Sequence, residues 1–242
     1  MTRHLRPYHR FAKGSSATLI AVFLIASVLY SVRALAGDVT GRVVLGPTAR
    51  TTPAQSREAS RQRLIEEWNG FVQLRDFRPD PSRELAVVLT GSGNAVGLEQ
   101  PFLMRNGNSF PYTWVIRPGA PLRIRNADGV TYHLQAAGLA EFEPAPTPPE
   151  SVREINIEAP GQYAVSDADY PHVRASLHVI PDLVARAEFN AEGQFVFRGV
   201  PAGSYQLCFF AGEREVSPAQ TVTIVDGNLQ LEPVTINSLT GT

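Results

Sequence analysis

The sequence has almost no cysteine and almost no lysine. Cys208 is the single cysteine among 242 residues, so no intramolecular disulfide can form. Because it stands between Leu207 and Phe209, we interpret it as a small buried hydrophobe; the alternative is a thiol for a metal or an intermolecular bridge. Lys13 is the only lysine, and the arginines after it are scattered. Nucleic acids and anionic membrane surfaces require clustered positive charge, so the sequence argues against both as partners.

The sequence also lacks an apolar run of the roughly 20 residues that a membrane-spanning helix needs. The run at 17–30 follows a basic head and precedes small residues at positions 34 and 36, which is typical of a secretory signal peptide cleaved after Ala36. We therefore predict an exported protein, periplasmic or secreted, with an uncleaved leader acting as an anchor as the alternative. Loss of the leader takes the formal net charge from −1 to −6, because its five charged residues are all basic: Arg3, Arg6, Arg10, Lys13 and Arg33.

Helical periodicity is confined to residues 56–74. Apolar residues recur there at helical spacing between charged ones, and Ser56 or Ser60 is a suitable N-cap. The apolar positions are Leu64, Ile65, Trp68, Phe71 and Val72. We predict one amphipathic helix that packs on a sheet, with docking to a partner as the alternative.

From Arg83 onward the sequence predicts short strands separated by turns. Dipeptides such as Asp128-Gly129 and Pro160-Gly161 mark those turns. Many short strands about ten residues apart predict a β-sandwich or barrel, so the expected fold class is all-β apart from the one helix.

The stretch from Phe110 to Val179 resembles a known family. It contains in order Trp114-Val-Ile-Arg-Pro-Gly-Ala-Pro-Leu-Arg-Ile-Arg-Asn-Ala-Asp, Tyr132-His133, Ala159-Pro-Gly-Gln-Tyr and Tyr170-Pro-His-Val-Arg-Ala. These motifs are similar to those of plastocyanin-like cupredoxins, the periplasmic methylamine-utilisation type. The resemblance implies a cupredoxin-like β-sandwich with a copper site at one end.

A second resemblance follows it. The stretch Glu192-Gly-Gln-Phe-Val-Phe-Arg-Gly-Val-Pro-Ala-Gly-Ser-Tyr-Gln-Leu is similar to the signature of carboxypeptidase-regulatory-like, transthyretin-like sandwiches. The opening strand of that family has a counterpart in Gly37-Asp-Val-Thr-Gly-Arg-Val. This implies a smaller β-sandwich, a structural or interaction module, that recruits the strand at 39–45. The cupredoxin-like module then either interrupts this sandwich or sits beside it.

The copper ligands of the first family do not carry over. A type 1 site needs two imidazoles, a thiolate and usually a weak axial thioether. In the alignment that the resemblance implies, the family's cysteine falls on Asp167, its second histidine on Tyr170 and its methionine on Val173. Only His133 matches a ligand, one residue late. We therefore predict no type 1 copper and no bound cofactor.

A weaker metal site, with copper as the cofactor, is the alternative. Imidazoles and carboxylates bind copper(II) or zinc without a thiolate. If the resemblance holds, four such side chains lie near one end of the sandwich: His133, His172, Asp167 and Asp169. The interpretation we favour is that His133 is a remnant at a rim and that the aspartates belong to a solvated loop.

Motifs for catalysis are missing. The glycine-rich segment at 91–97 lacks the lysine of a phosphate-binding loop, and there is no nucleophile elbow or paired-histidine zinc motif. We therefore predict a protein that is not an enzyme.

The predicted organisation has four parts: a signal peptide at 1–36, a strand, linker and helix at 37–82, a cupredoxin-like domain at 83–181 and a regulatory-like domain at 182–242. The predicted function is a periplasmic binding or scaffold role, in which loops or sheet edges hold a partner protein. The alternative is a copper-binding or electron-transfer protein with a weak non-blue site. Four arginines are candidate contacts to an acidic partner, although solvated strand faces explain them as well: Arg117, Arg123, Arg125 and Arg174.

Overall fold

The computed structural model describes residues 36–47, 49, 80–225 and 227–239. Strands make up nearly all the regular structure of these residues, which confirms the predicted all-β class. The helix predicted at 56–74 lies outside the described residues, as does the predicted leader except for Ala36. Among the residues described, no helix is long and apolar enough to span a membrane.

The strands are β1 (Ala36–Leu45), β2 (Leu85–Thr90), β3 (Phe102–Arg105), β4 (Asn108–Phe110), β5 (Thr113–Ile116), β6 (Pro121–Asn126), β7 (Leu134–Ala136), β8 (Val152–Asn156), β9 (Gly161–Asp167), β10 (Arg174–Val179), β11 (Leu183–Arg186), β12 (Glu188–Phe189), β13 (Gln194–Pro201), β14 (Gly203–Ala211), β15 (Arg214–Ile224), β16 (Leu229–Gln230) and β17 (Val234–Ile236). Two single-turn helices are α1 (Pro81–Glu84) and a 3-10 helix at Ala140–Phe142. The side chain of Asp80 caps α1 by accepting a hydrogen bond from the Ser82 amide at 2.9 Å.

Strands β3 to β10 form a first β-sandwich, here called sandwich A. One of its sheets has the strand order β4-β3-β6-β8, and the other has the order β5-β10-β9-β7. Buried and exposed residues alternate along β3 and β6, so each strand gives one face to the core. Trp114 lies fully buried in that core, and its indole N–H donates to Ser109 Oγ at 2.7 Å. The largest buried side chains beside it are Tyr132, Phe142, Met104, Leu122 and Ile124.

The remaining strands form a second β-sandwich, sandwich B. Its sheets have the orders β12-β13-β1-β16, with β17 also on β1, and β11-β2-β14-β15. Strand β1 pairs antiparallel with β13 from Ala36 opposite Pro201 to Arg42 opposite Gln194. The strand predicted at 39–45 therefore joins the C-terminal sandwich, as expected. Gly41 of β1 faces the ring of Phe195 so closely that a Cβ atom would overlap it.

Strand β2 belongs to sandwich B, although the predicted boundary places residues 85–89 with the cupredoxin-like domain. It pairs antiparallel with β14, from Leu85 opposite Ala211 to Thr90 opposite Gln206, and also with β11. All six residues of β2 are buried. A continuous apolar run of this kind carries no alternation that identifies its sheet from sequence. Sandwich A thus lies between β2 and β11 in the chain, so it interrupts sandwich B, one of the two arrangements left open.

The two sandwiches pack against each other and form one compact unit. The outward face of β2 and β14 contacts β5 through a small apolar cluster: Ala86, Val88, Val115, Leu183 and Cys208. Thr113 of β5 links the two parts, because its hydroxyl donates to the Glu84 carbonyl and accepts from the Gly212 amide, both at 2.8 Å. His178 Nε2 lies 2.7 Å from the Gly212 carbonyl and makes a second link.

Candidate functional site

The predicted ligands lie around one end of sandwich A. His133 directly precedes β7, and Asp167 is the last residue of β9. Asp169 and His172 belong to the loop between β9 and β10. Because Leu134 of β7 pairs with Asp167 of β9, the sheet register brings the first histidine beside the start of that loop.

The Asp167 carboxylate is buried and hydrogen-bonded to the backbone around it. It is 4 % exposed. Its Oδ2 accepts the His133 amide at 2.6 Å, and its Oδ1 accepts the amides of Asp169 and Tyr170 at 2.9 and 2.8 Å. A buried carboxylate is costly unless it is hydrogen-bonded, and three N–H donors satisfy this one. Asp167 therefore fixes the β9–β10 loop to the strand end beside it.

His133 and Asp169 form a partly exposed pair at the same end. The ring Nδ1 of His133 lies 2.6 Å from Asp169 Oδ2, with side-chain exposures of 35 % and 58 %. This contact occupies Nδ1 and leaves Nε2 as the ring nitrogen that could bind a ligand.

His172 is exposed on the β9–β10 loop, and its neighbours are Tyr170 and Gly107. Its ring meets Tyr170 edge to face at 6.2 Å between centroids. Its Nε2 also lies close to Gly107 in the β3–β4 turn, where an added Cβ atom would be 3.5 Å from it. Across residues 36–47, 49, 80–225 and 227–239, no group of three or more histidine, cysteine, aspartate or glutamate side chains is arranged to hold a metal ion. The structure therefore places the four predicted residues at one end without uniting them as a ligand set.

A second carboxylate, Asp128, makes hydrogen bonds at the same end of sandwich A. It was not among the predicted site residues. Its carboxylate oxygens accept the amides of Asn106 and Gly107 at 2.7 and 3.0 Å and the hydroxyl of Tyr132 at 2.7 Å. Burial opposes ionisation of Asp128, but these hydrogen bonds outweigh it and lower the pKa below the usual value. Burial, reinforced by the bond to Asp128, raises the pKa of Tyr132.

Asn126 completes this network from the buried end of β6. Its Oδ1 accepts the Asp128 amide at 2.9 Å, and its Nδ2 donates to the carbonyls of Val130 and Thr147 at 2.7 and 2.9 Å. The signal for this role is the Asn-Ala-Asp spacing at 126–128, since Asn and Asp side chains commonly bond to the backbone two residues on.

The remaining predicted positions are also accounted for. Cys208 is buried at the contact between the sandwiches, and burial raises the pKa of its thiol to about 11, which suits a small buried hydrophobe. Each of the four candidate arginines has a neighbour within the chain: the Gly93 carbonyl for Arg117, Glu154 for Arg123, Glu150 for Arg125 and the Pro171 carbonyl for Arg174. Their contact with an acidic partner stays a prediction.

Comparisons with known proteins find only solved structures of low identity that cover part of the chain. No family model and no curated protein matches the chain. Among solved structures, a reduced amicyanin mutant is 13 % identical, with a TM-score of 0.32, and the match covers 39 % of this chain and 98 % of the amicyanin. The amicyanin from Paracoccus versutus is 12 % identical over 39 % of this chain and 97 % of that one, with a TM-score of 0.30. A purple cupredoxin from Nitrosopumilus maritimus is 17 % identical over 34 % and 100 %, with a TM-score of 0.30.

Proposed function

We propose that the chain is an exported, non-enzymatic binding or scaffold protein of the periplasm, in which the cupredoxin-like sandwich is retained as a rigid module without type 1 copper. The observation that carries this proposal is the environment of Asp167. The resemblance aligns this residue with the copper-binding cysteine of plastocyanin-like proteins. Here it is a buried carboxylate whose oxygens accept three backbone amides.

The other aligned positions do not fit a type 1 copper ion either. Val173 stands at the methionine position, is 1 % exposed and packs in the core of sandwich A. Tyr170 stands at the second histidine position, and its ring packs edge to face on Tyr132 with centroids 5.7 Å apart. Neither side chain supplies a thioether or an imidazole. The end of the sandwich that would hold copper is instead fastened by hydrogen bonds and aromatic contacts.

A surface role is the function that this arrangement favours. The two β-sandwiches form one compact unit, and its exposed strands and loops would supply the surface that holds a partner. The leader predicted from the sequence supports export, and the acidic charge of the chain without it supports a protein partner over a nucleic acid.

The first test is metal content. The protein is purified without chelator, its bound metals are measured, and copper(II) is titrated into the parent and into a His133→Ala variant. We expect no stoichiometric metal, no visible charge-transfer band, and equal, weak copper binding by both proteins. Tight copper binding in a one-to-one ratio that His133→Ala abolishes would replace this proposal with the alternative, a copper protein with a non-blue site.

The second test concerns the partner. Cells that export the protein are treated with a short cross-linker, and we expect a discrete complex with one major protein. Only monomeric protein after cross-linking would contradict the binding role.

A further inference from the structure

The turn between β3 and β4 consists of the dipeptide Asn106-Gly107. Arg105 pairs with Asn108 across it, so only these two residues form the loop. Both have positive φ angles, 54° for Asn106 and 69° for Gly107. Positive φ at both central residues defines the type I′ hairpin turn, for which Asn-Gly is a preferred sequence. Asn106 is exposed and Gly107 is half-buried, so the dipeptide is open to water.

An Asn-Gly dipeptide is also a sequence that readily loses its side-chain amide. The Gly107 nitrogen gives up its proton, and its electron pair attacks Asn106 Cγ to form a new C–N bond. The bond from Cγ to Nδ2 breaks, and Nδ2 leaves as ammonia with the proton. Water then opens the succinimide ring, at Cγ to give aspartate or at the main-chain carbonyl to give isoaspartate. A glycine nitrogen attacks most easily because no Cβ atom blocks its approach.

The Asp128 carboxylate binds both amides of this dipeptide. Its Oδ1 accepts the Asn106 N–H at 2.7 Å, and its Oδ2 accepts the Gly107 N–H at 3.0 Å. The Tyr132 hydroxyl also donates to Oδ2, at 2.7 Å, and holds the carboxylate beside the turn. The proton that Gly107 must lose is therefore the one that Asp128 binds.

Two effects of Asp128 oppose the reaction. Its hydrogen bonds outweigh burial and lower its pKa, so the carboxylate is ionised at neutral pH. Removing the Gly107 proton would place a negative nitrogen beside this negative charge, which is unfavourable. In addition, the nitrogen of the succinimide ring carries no hydrogen, so the bond from Gly107 to Asp128 cannot survive ring closure.

We propose that Asn106 is a site of spontaneous deamidation, and that the Asp128 carboxylate suppresses the reaction in the folded protein. The inference concerns a modification of the chain itself and does not depend on the proposed binding role. It assigns Asp128 a protective function in addition to its structural one.

Both products change the turn. A carboxylate at position 106 adds a negative charge to the loop that Asp128 binds, so the two groups repel each other. Isoaspartate also adds one carbon atom to the main chain, which no longer fits the two-residue turn between Arg105 and Asn108. We expect either product to weaken the attachment of the β3–β4 turn to Asp128.

The test compares the folded parent with folded Asp128→Ala during incubation at mildly alkaline pH. Samples are digested with trypsin, and deamidation at Asn106 is followed by mass spectrometry. We expect the variant to react roughly tenfold faster, a factor that corresponds to the loss of one hydrogen bond to a charged group. In denaturant the two proteins should react at the same rate, again about tenfold or more above that of the folded parent. This last comparison needs no folded variant.

Two controls separate protection by Asp128 from general stability. Gly41→Ala overpacks the core of sandwich B, far along the chain from the turn, and should leave the rate at Asn106 within about twofold. Asn69-Gly70, the other Asn-Gly dipeptide of the sequence, lies outside the described residues and falls in a different tryptic peptide. Its rate is an internal reference that should be the same in the parent and in Asp128→Ala.

Equal rates at Asn106 in the folded parent and folded Asp128→Ala would overturn the proposal. A slower reaction in the variant would also overturn it, because the carboxylate would then promote the attack by taking the proton. The same holds if Gly41→Ala accelerates the reaction as much as Asp128→Ala, or if the folded parent reacts as fast as the unfolded chain.

Discussion

At the scale of single residues, carboxylates perform the structural work at the end of sandwich A. Asp167 and Asp128 each accept two or more backbone amides from a neighbouring loop. The two aspartates hold different segments, since Asp167 binds the β9–β10 loop and Asp128 binds the β3–β4 turn. Their removal should therefore affect the stability of the protein more than its chemistry.

Replacing Asp167 by alanine should destabilise the protein by about 3 kcal/mol, because buried amides left without a partner cost about 1–3 kcal/mol each. The free energy of unfolding is measured by denaturant titration at pH 7. The matched control is Asp169→Ala, since Asp169 is 58 % exposed and its contact with the partly exposed His133 ring is worth less than about 1 kcal/mol. Equal losses for the two variants would show that Asp167 does not fix the loop.

The charge of Asp128 predicts a pH dependence. Its pKa is lower in the folded protein than in the unfolded chain, so its contribution to stability is present above the unfolded pKa. The contribution is lost as the pH falls through the lower, folded value. The difference in unfolding free energy between the parent and Asp128→Ala should therefore be full at pH 7 and smaller near pH 3. An unchanged difference would contradict the role of the ionised carboxylate.

At the scale of elements, alternating strands were easier to predict than uniformly buried ones. Buried and less buried residues alternate along β1, the strand that was predicted at 39–45, and it pairs with β13. The apolar run of β2 suggested a strand but contained nothing to show which sheet it enters. In the candidate site, too, one part could be predicted from the sequence and another part could not. The family resemblance implied that His133 lies at the same end of the sandwich as residues 167–172, whereas the amides that Asp167 accepts depend on the exact paths of the chain at 133 and at 167–170.

Gly41 is the residue on which the close packing of β1 depends. A Cβ atom there would overlap the ring of Phe195, which lies in the core of sandwich B. Gly41→Ala should destabilise the protein by about 1–3 kcal/mol, the usual cost of overpacking a core. The control on the same strand is Val44→Ala, at a side chain 42 % exposed, which should change the unfolding free energy by less than about 0.5 kcal/mol. A neutral Gly41→Ala would show that the ring can move aside.

At the scale of the whole molecule, polar contacts reinforce the apolar cluster between the sandwiches. Arg186 of β11 donates to the Gln100 carbonyl at 2.6 Å, and its guanidinium lies 4.2 Å from the centroid of Phe102. Burial lowers the pKa of Arg186 to about 10, which leaves it charged at neutral pH. Because β2 and β11 lead into and out of sandwich A, both of its chain connections lie in one sheet of sandwich B.

His178 is a buried titratable group at this contact. It is 6 % exposed, its ring packs 4.7 Å from that of Phe210, and its Nε2 lies 2.7 Å from the Gly212 carbonyl. Burial lowers its pKa, although the Gly212 bond and the nearby Glu213 oppose that shift. The folded protein therefore binds the proton less readily than the unfolded chain. The contribution of neutral His178 to stability is full above the unfolded value of about 6.5 and is lost as the pH falls through the folded value.

We expect the unfolding free energy of the parent to fall between pH 7 and pH 5 more steeply than that of His178→Gln, which cannot be protonated in this range. Denaturant titrations at the two pH values measure the difference. His172→Gln is the matched control, because His172 is exposed on the β9–β10 loop and its loss should leave the steeper fall intact. If His178→Gln and the parent lose stability equally, the acid sensitivity arises elsewhere. If the control alone flattens the fall, it arises at the end of sandwich A rather than at the contact between the sandwiches.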